Sequence, residues 1–265
     1  MSEQEFETLK LETTDNQVLL VQLNRPEVAN AFNTQMAKDL MTLFENLALD
    51  PRGVRAIVLT GTGDRAFCAG GDLKERNGMS DEDWGRQHLI FERMIRAITE
   101  CPTPIIAAVN GAAYAGGCEL AAATDFIYAS EKARFAQTET RIGIIPGAGG
   151  TQNLARAMGE RRAKQIILSA QPFTAQQAKE WGLVNEIFQS EALVDAALDM
   201  AKTIANNAPI AVRQAKQAIH KGMQMSLSDG YSFEIEAYNR TVPTDDRREG
   251  VLAFNEKRQP EFKGR

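Results

Sequence analysis

The sequence predicts an α/β fold followed by a helical region. Between residues 18 and 150, runs of aliphatic and β-branched residues alternate with helical patterns, and glycine-rich turns separate them. After about residue 195 the pattern is helical only. Strands that alternate with helices favour parallel pairing, so we expect a parallel sheet covered by helices. We place the core at residues 1–195 and the helical region at residues 196–265.

The first elements follow from local signals. Val18–Leu23 is expected to form a buried strand, because Asn24-Arg25-Pro26 follows it and proline disfavours helix at the preceding residue. Thr34–Ala48 repeats apolar side chains at helical spacing, which predicts an amphipathic helix. Val54–Thr60 is rich in β-branched residues and ends in a glycine-rich turn, which predicts the next strand.

The same order of strand, glycine turn and helix then continues. The remaining predicted elements are a helix over Asp81–Glu100, a strand over Ile105–Val109, a helix over Cys118–Ala123 and a strand over Asp125–Ala129. In the C-terminal part, Pro209 and Pro243 mark expected helix boundaries.

Composition excludes several classes of protein. The chain has 265 residues, of which 43% are hydrophobic, and no stretch approaches the ~20 apolar residues of a membrane-spanning helix. A net charge of −5 disfavours general binding to nucleic acid or to a membrane surface, which requires clustered Lys and Arg. The first residues are acidic and lack a secretory or transit signal, so we expect a cytoplasmic protein.

The few cysteine and histidine residues argue against a metal site. Three cysteines and two histidines show no metal-ligand spacing, so we expect no bound metal and no disulfide framework. The cysteines are expected to be small, mostly buried thiols. The sequence also lacks GxxxxGK[ST], a GxGxxG after the first strand and GxSxG, which disfavours phosphate-loop, dinucleotide and serine-hydrolase sites.

Two glutamates stand out as candidate catalytic residues. Glu119 is the lone carboxylate in AAYAGGCELAAAT, where burying its charge would cost several kcal/mol. Catalysis is one explanation; an ion-paired structural Glu, or an exposed Glu in the first turn of a helix, are the others. Glu139 precedes a third glycine turn. Two carboxylates in unequal environments can act as acid and base, and N–H groups in the glycine turns could stabilise an oxyanion.

Five short motifs extend over the whole chain. They are Leu23–Pro26, Phe67–Leu73, Asn110-Gly111, Pro146–Gln152 and Phe254–Arg258. Together they resemble the crotonases, the enoyl-CoA hydratase/isomerase superfamily, and the segments Leu73–Arg76 and Thr244–Arg265 look particularly like methylglutaconyl-CoA hydratases. The resemblance implies a spiral of repeated ββα units, with a C-terminal helical region that packs trimers, commonly paired into hexamers.

The resemblance also implies site residues. The backbone N–H groups of Ala69 and Gly116 would form the oxyanion hole, Glu119 would hold and activate water, and Glu139 would protonate the α-carbon. The residues expected to contact coenzyme A are Arg25, Glu27, Val28, Ala29, Ala69, Gly70, Gly71, Asp72 and Leu73, with Phe254 and Lys257 reaching the ligand from a neighbouring subunit. Glu27 stands where many members of the family have lysine, so Arg25 or Lys257 would supply the charge near the CoA phosphates. Thr138 stands where the family usually has proline before the second glutamate, which would shift Glu139 slightly.

The implied activity is the reversible syn addition of water to a 2-enoyl-CoA, giving 3-hydroxyacyl-CoA, as in acyl-CoA degradation and lipid metabolism. Coenzyme A enters with the substrate, and no prosthetic group is expected. The alternatives are a CoA-thioester isomerase, dehalogenase or decarboxylase and, from another class, an RNA-binding protein, which the acidic pI of about 5.3 opposes. The residues Trp84, His88, Phe91, Met94 and Ile95 either border the acyl chain or belong to the core.

Overall fold

The strands form two sheets in the computed structural model, which describes residues 6–14 and 16–265. The strands are β1 (Leu9–Thr13), β2 (Val18–Leu23), β3 (Ala56–Gly61), β4 (Ala66–Cys68), β5 (Ile105–Val109), β6 (Ala112–Tyr114), β7 (Phe126–Ser130), β8 (Arg134–Ala136), β9 (Phe173–Thr174) and β10 (Glu186–Phe188).

Helices follow most of the strands. The α-helices are α1 (Thr34–Leu49), α2 (Leu73–Arg76), α3 (Asp81–Glu100), α4 (Gly116–Ala122), α5 (Gly150–Met158), α6 (Glu160–Ser169), α7 (Ala175–Glu180), α8 (Leu193–Ala205), α9 (Pro209–Gly222), α10 (Leu227–Asn239) and α11 (Asp245–Glu256). Two short 3-10 helices cover Pro26–Val28 and Glu139–Ile142.

The large sheet has the strand order β1-β2-β3-β5-β7-β10. Its strands pair in parallel from β2 to β10, and only the edge strand β1 is antiparallel to its neighbour. The predicted parallel sheet is thus confirmed. The predicted bounds of β2, β5 and α3 agree with the structure, while β7 lies one residue later than predicted and α4 begins two residues earlier.

Both faces of the large sheet are buried. Along β2 and β3, Leu19, Val21 and Ile57 point into the main core, whereas Leu20 and Val58 point to the opposite face. The main core is completed by α1, α3 and α4. Helix α8 covers the opposite face with Leu193, Ala197, Ala201 and Ala205, which recur every four residues and so form one stripe.

The small sheet has the order β4-β6-β8-β9, and its first three strands are parallel. The sequence analysis did not predict these strands. Each has only two or three residues, too few for a hydrophobic alternation to be recognised. The small sheet nevertheless positions most of the site described below.

The C-terminal part is helical as expected. Pro209 is the first residue of α9, and Pro243 lies between α10 and α11. Lys216 of α9 joins the helices to the core through an ion pair of 2.7 Å with Asp125. The expected boundary at residue 195 falls within α8, and the division of the chain into two parts stays a prediction. Within the described residues, no helix has the length and apolar character to cross a membrane.

Candidate active site

A cavity of about 700 Å³ adjoins the small sheet. Its walls come from the turn after β4, the start of α4, the segment 71–91 and the segment 138–148. Both candidate glutamates line it, and so do residues of all three glycine-rich turns singled out in the sequence. The fold therefore brings together residues as far apart in the sequence as Phe32 and Ala148.

The carboxyl ends of three neighbouring strands lead into the site. Strand β4 is followed by Ala69, β6 by Ala115 and Gly116, and β8 by Gln137. Parallel strands place such ends at one edge of a sheet, where functional groups of α/β folds commonly meet. The order β4-β6-β8 thus places the two glycine turns on adjacent strands and Glu139 beyond the third.

Hydrogen bonding corrects one predicted oxyanion donor. The N–H of Ala69 donates to the carbonyl oxygen of Ala29 at 3.0 Å and is therefore engaged within the protein. The N–H of Gly71 has no acceptor among the residues that the structure describes, and its nitrogen lies 3.6 Å from the position of a Cβ placed on Gly116. Within the described residues, the N–H of Gly71, unlike that of Ala69, is therefore left for a ligand.

The start of α4 has a constrained backbone. Ala115 adopts φ 51° and ψ −125°, a combination that L-residues rarely occupy and that costs of order 1–3 kcal/mol. A Cβ on Gly116 would lie 2.4 Å from Cζ of Phe32, and one on Gly117 would lie 2.0 Å from the carbonyl oxygen of Cys68. Only glycine fits the first two positions of the helix, and their N–H groups can approach a ligand closely.

Glu119 is fixed by the third glycine turn. Its side chain lies in the first turn of α4 and is 2% exposed. Its Oε1 accepts hydrogen bonds from the N–H groups of Ala148 and Gly150, both at 2.8 Å. A Cβ on Gly150 would lie 2.8 Å from that oxygen, so glycine is needed there. The interpretation of Glu119 as an exposed helix-start residue is wrong, and no cation pairs with it among the described residues.

Glu139 begins the second 3-10 helix and is also buried, at 6% exposure. Gln137, which is fully buried, lies beside it. With the Gln137 amide oriented to satisfy its surroundings, its nitrogen donates to Oε1 and Oε2 of Glu139 at 3.2 and 3.1 Å. Nothing in the local sequence indicated this contact for Gln137.

Burial controls the ionisation of both glutamates. It raises the pKa of Glu119 to about 7, and repulsion from Glu139 acts in the same direction, while the N–H groups of Gly150 and Ala148 oppose it. Burial also raises the pKa of Glu139. Because the two carboxyl groups interact, they titrate as a pair. The pair can therefore hold a proton near neutral pH, where isolated glutamates would both be ionised.

Three of the residues expected near coenzyme A, Arg25, Asp72 and Leu73, have contacts or exposure that bear on that role. Arg25 forms an ion pair of 3.0 Å with Asp72, which also caps α2 by accepting from the N–H of Lys74 at 3.0 Å. Leu73 lines the cavity and is 52% exposed. Arg25 is thus partly committed to a structural contact, with its remaining N–H groups left for a ligand.

The other expected CoA contacts lie in two separate segments, one directly after Arg25 and one at the end of α11. Glu27 and Val28 belong to the first 3-10 helix, and Ala29 ends it in a left-handed conformation. Phe254 and Lys257 are exposed at the end of α11 and are not among the residues that line this cavity. Within one chain, the structure does not bring these two residues to the glutamates.

The helix α3 contributes to the cavity and to the core. Trp84, His88 and Phe91 line the cavity, whereas Met94 and Ile95 belong to the main core. Phe91 belongs to both, because it also packs in the main core.

The three cysteines are buried, as predicted. Burial raises the pKa of the Cys68 and Cys118 thiols to about 12. Both thiols therefore remain protonated near neutral pH, which makes Cys118 a poor nucleophile despite its place beside Glu119.

Comparison with known proteins identifies the family. Residues 13–265 match the family described as enoyl-CoA hydratase/isomerase. The chain is 44% identical to the mitochondrial enoyl-CoA hydratase of Pongo abelii, over 94% of this chain and 84% of that protein. It is 38% identical to the mitochondrial methylglutaconyl-CoA hydratase of Homo sapiens, over 99% of this chain and 78% of that protein.

A solved structure shows the same fold. The 1.8 Å crystal structure of enoyl-CoA hydratase from Bacillus anthracis superimposes with a TM-score of 0.95 at 40% identity, covering 98% of this chain and 100% of that one. The protein belongs to the enoyl-CoA hydratase/isomerase family and has the crotonase fold, with parallel sheets and C-terminal helices. The resemblance predicted from the sequence is confirmed.

Proposed function

We propose that this protein hydrates 2-enoyl-CoA thioesters to 3-hydroxyacyl-CoA thioesters. The observation that carries the proposal is the pair of buried, interacting glutamates in one cavity with two N–H groups that have no acceptor among the described residues. Family membership and the enoyl-CoA hydratase relatives support it. The enzyme is accordingly a hydro-lyase that acts on CoA thioesters.

The N–H groups of Gly71 and Gly116 bind the thioester oxygen. They polarise the C=O bond and stabilise the negative charge that develops when a nucleophile adds to the β-carbon. Removing one such donor costs about 10²- to 10³-fold in rate in other enzymes. Because both donors are backbone groups on constrained glycine turns, they need little rearrangement when charge develops.

The two glutamates move the protons. Oε1 of Glu119 is occupied by two N–H groups, so Oε2 is the oxygen left to accept a hydrogen bond from water. Glu119 takes a proton from that water as its oxygen bonds to the β-carbon, and protonated Glu139 donates its proton to the α-carbon. One proton then passes from Glu119 to Glu139 and restores the starting state. Water has been added across the double bond, and no prosthetic group is required.

Coenzyme A binding would use the segments at the cavity mouth. Arg25, Glu27, Val28 and Ala29 and the turn Ala69–Leu73 would lie along it, with Asp72 holding the turn in place. The exposed position of Phe254 and Lys257 supports their contact with a ligand of a neighbouring subunit rather than of their own.

The C-terminal helices would form trimers, paired into hexamers. Their exposed apolar side chains support this assembly, because large exposed apolar surfaces commonly mark interfaces. These side chains include Ile219, Met223, Leu227, Tyr231, Ile235, Tyr238, Val251 and Leu252, each at least half exposed.

We assign the protein to the cytoplasm and to acyl-CoA degradation in lipid metabolism. Three free, buried cysteines suit a reducing compartment. Removal of the double bond of an enoyl-CoA by hydration suits a degradative sequence in which the hydroxyl group is next oxidised.

The test follows the ultraviolet absorbance of crotonyl-CoA, which falls as the conjugated double bond is hydrated. The wild type, Glu119→Gln, Glu139→Gln and the control Glu131→Gln, which removes an exposed carboxylate, are compared. We expect rapid loss with the wild type and the control, and a decrease of about 10²- to 10⁴-fold in kcat in the other two. If the wild type converts 3-enoyl-CoA to 2-enoyl-CoA and hydrates neither, the protein is an isomerase.

A further inference from the structure

Arg76 places a buried cation in the wall of the cavity. It is the last residue of α2, is 9% exposed and lines the cavity together with Trp84 and Phe91. Its guanidinium carbon lies 4.2 Å from the ring centroid of Trp84 and 4.9 Å from that of Phe91. The same carbon would lie 3.9 Å from a Cβ on Gly71. Arg76 is therefore close to the turn proposed to hold the thioester oxygen.

The hydrogen bonds of Arg76 are incomplete. Its Nε donates to Oε1 of Gln87 at 2.6 Å, but its two terminal nitrogens have no acceptor and no ion-pair partner in the described part of the chain. The nearby Glu75 uses Oε2 to accept from the N–H of Thr34 at 2.9 Å and from Nε2 of Gln87 at 2.7 Å. Burying a cation without a hydrogen-bonded anion costs several kcal/mol, and the aromatic rings offset only part of that cost.

The charge on Arg76 remains at neutral pH. Burial lowers its pKa, yet a guanidinium is not deprotonated in proteins under ordinary conditions. Burial, and then the charge of Arg76, lower the pKa of His88, which lines the same cavity. His88 is therefore largely neutral at pH 7, and this part of the cavity wall has one fixed cation with unused N–H donors.

We infer that Arg76 binds a carboxylate at the far end of the acyl group, so that the preferred substrates are short 2-enoyl-CoA thioesters of dicarboxylic acids. The inference rests on the proposed hydration and specifies its substrate class. A planar guanidinium matches a carboxylate with two parallel hydrogen bonds, which an aliphatic chain cannot provide. The short distance between Arg76 and Gly71 limits the number of carbons between the thioester and the carboxylate.

A matched pair of substrates tests the inference. Glutaconyl-CoA differs from 2-pentenoyl-CoA by a terminal carboxylate in place of a methyl group. We expect the wild type to have at least about a tenfold higher kcat/KM for glutaconyl-CoA. Arg76→Met, which keeps an apolar stem, should lose about 10- to 100-fold with glutaconyl-CoA and change little with 2-pentenoyl-CoA. Arg76→Lys should have a kcat/KM for glutaconyl-CoA between those of the wild type and of Arg76→Met. The control Lys74→Gln removes an exposed cation from the same helix and should leave the preference unchanged.

Binding of saturated thioesters separates this inference from the hydratase proposal. The affinities of glutaryl-CoA and pentanoyl-CoA, measured by calorimetry, need no turnover, and tighter binding of glutaryl-CoA that Arg76→Met abolishes would support the inference even if no enoyl-CoA were hydrated. Retained turnover of 2-pentenoyl-CoA shows that the variant folds. The role of Arg76 would be overturned if the wild type had equal kcat/KM and equal affinity for the two members of each pair. It would also be overturned if Arg76→Met lowered these values equally for both members.

Discussion

Replacing Glu119 with glutamine should stabilise the protein while it removes activity. Burial raises the pKa of Glu119 from its ordinary value of 4.5 to about 7, which corresponds to about 3 kcal/mol against the ionised form. Because the pKa of Glu119 is higher in the folded protein than in the unfolded one, burying Glu119 costs no stability below about pH 4.5. The whole cost of about 3 kcal/mol is present once the pH rises above about 7. A neutral glutamine can still accept hydrogen bonds from the N–H groups of Ala148 and Gly150 without this loss.

The measurement compares thermal unfolding of Glu119→Gln and the wild type at pH 5 and pH 8, at equal protein concentration. At pH 8 the variant should have a free energy of unfolding higher by up to about 3 kcal/mol, or a Tm higher by roughly 5 to 10 °C. At pH 5 the difference should be small. The control Glu131→Gln, at an exposed position, should show no such dependence on pH. The reasoning would be refuted if the difference in free energy of unfolding between Glu119→Gln and the wild type were equal at both pH values, or if the variant were less stable than the wild type at pH 8.

Three further changes test other parts of the site. Gly150→Ala puts a Cβ 2.8 Å from Oε1 of Glu119; it should displace that carboxylate and lower kcat by about 10²-fold or more, and unchanged kcat would contradict the proposed placement of water. Gln137→Leu removes the donor to Glu139 and should raise the pKa of that carboxyl further. The alkaline limb of the pH profile of kcat/KM should therefore move to higher pH, and a move to lower pH would contradict Glu139 as the proton donor. Asp72→Ala removes an ion pair and a helix cap and should lower the free energy of unfolding by about 1–3 kcal/mol in urea denaturation, whereas an unchanged midpoint would show that the turn does not depend on it.

The long elements could be predicted from the sequence because their signals are local. Helix α3 has a twenty-residue periodic pattern between a serine cap and a cysteine, and β2 ends before a proline turn. The strands β4, β6 and β8 depend on pairing with distant segments, and their three residues each carry little information of their own. The second sheet was therefore missed although its glycine turns were recognised.

The site was predicted only in part, because some of its residues are recognisable from their neighbours in the sequence and others depend on contacts that the fold makes. Glu119 is recognisable because the residues around it are small and apolar, which makes a charge conspicuous. The family resemblance assigned the proposed oxyanion donor beside Gly116 to Ala69, and the sequence does not reveal that Ala29 accepts the N–H of that residue. Arg76 lies in a charged run, and the lack of an ion-pair partner for it among the described residues depends on where α2 and α3 place it.

The three parallel strands that end at the site fix the distances between its parts. Neighbouring strands lie about 4.8 Å apart, and this spacing is set by backbone hydrogen bonds rather than by side chains. The two glycine turns and the glutamate beyond β8 thus keep their separations whatever acyl group is bound. The segment 73–91 is a separate part of the wall, so a redesign of acyl preference could exchange its side chains while the reacting carbons stay in register with the proton donor.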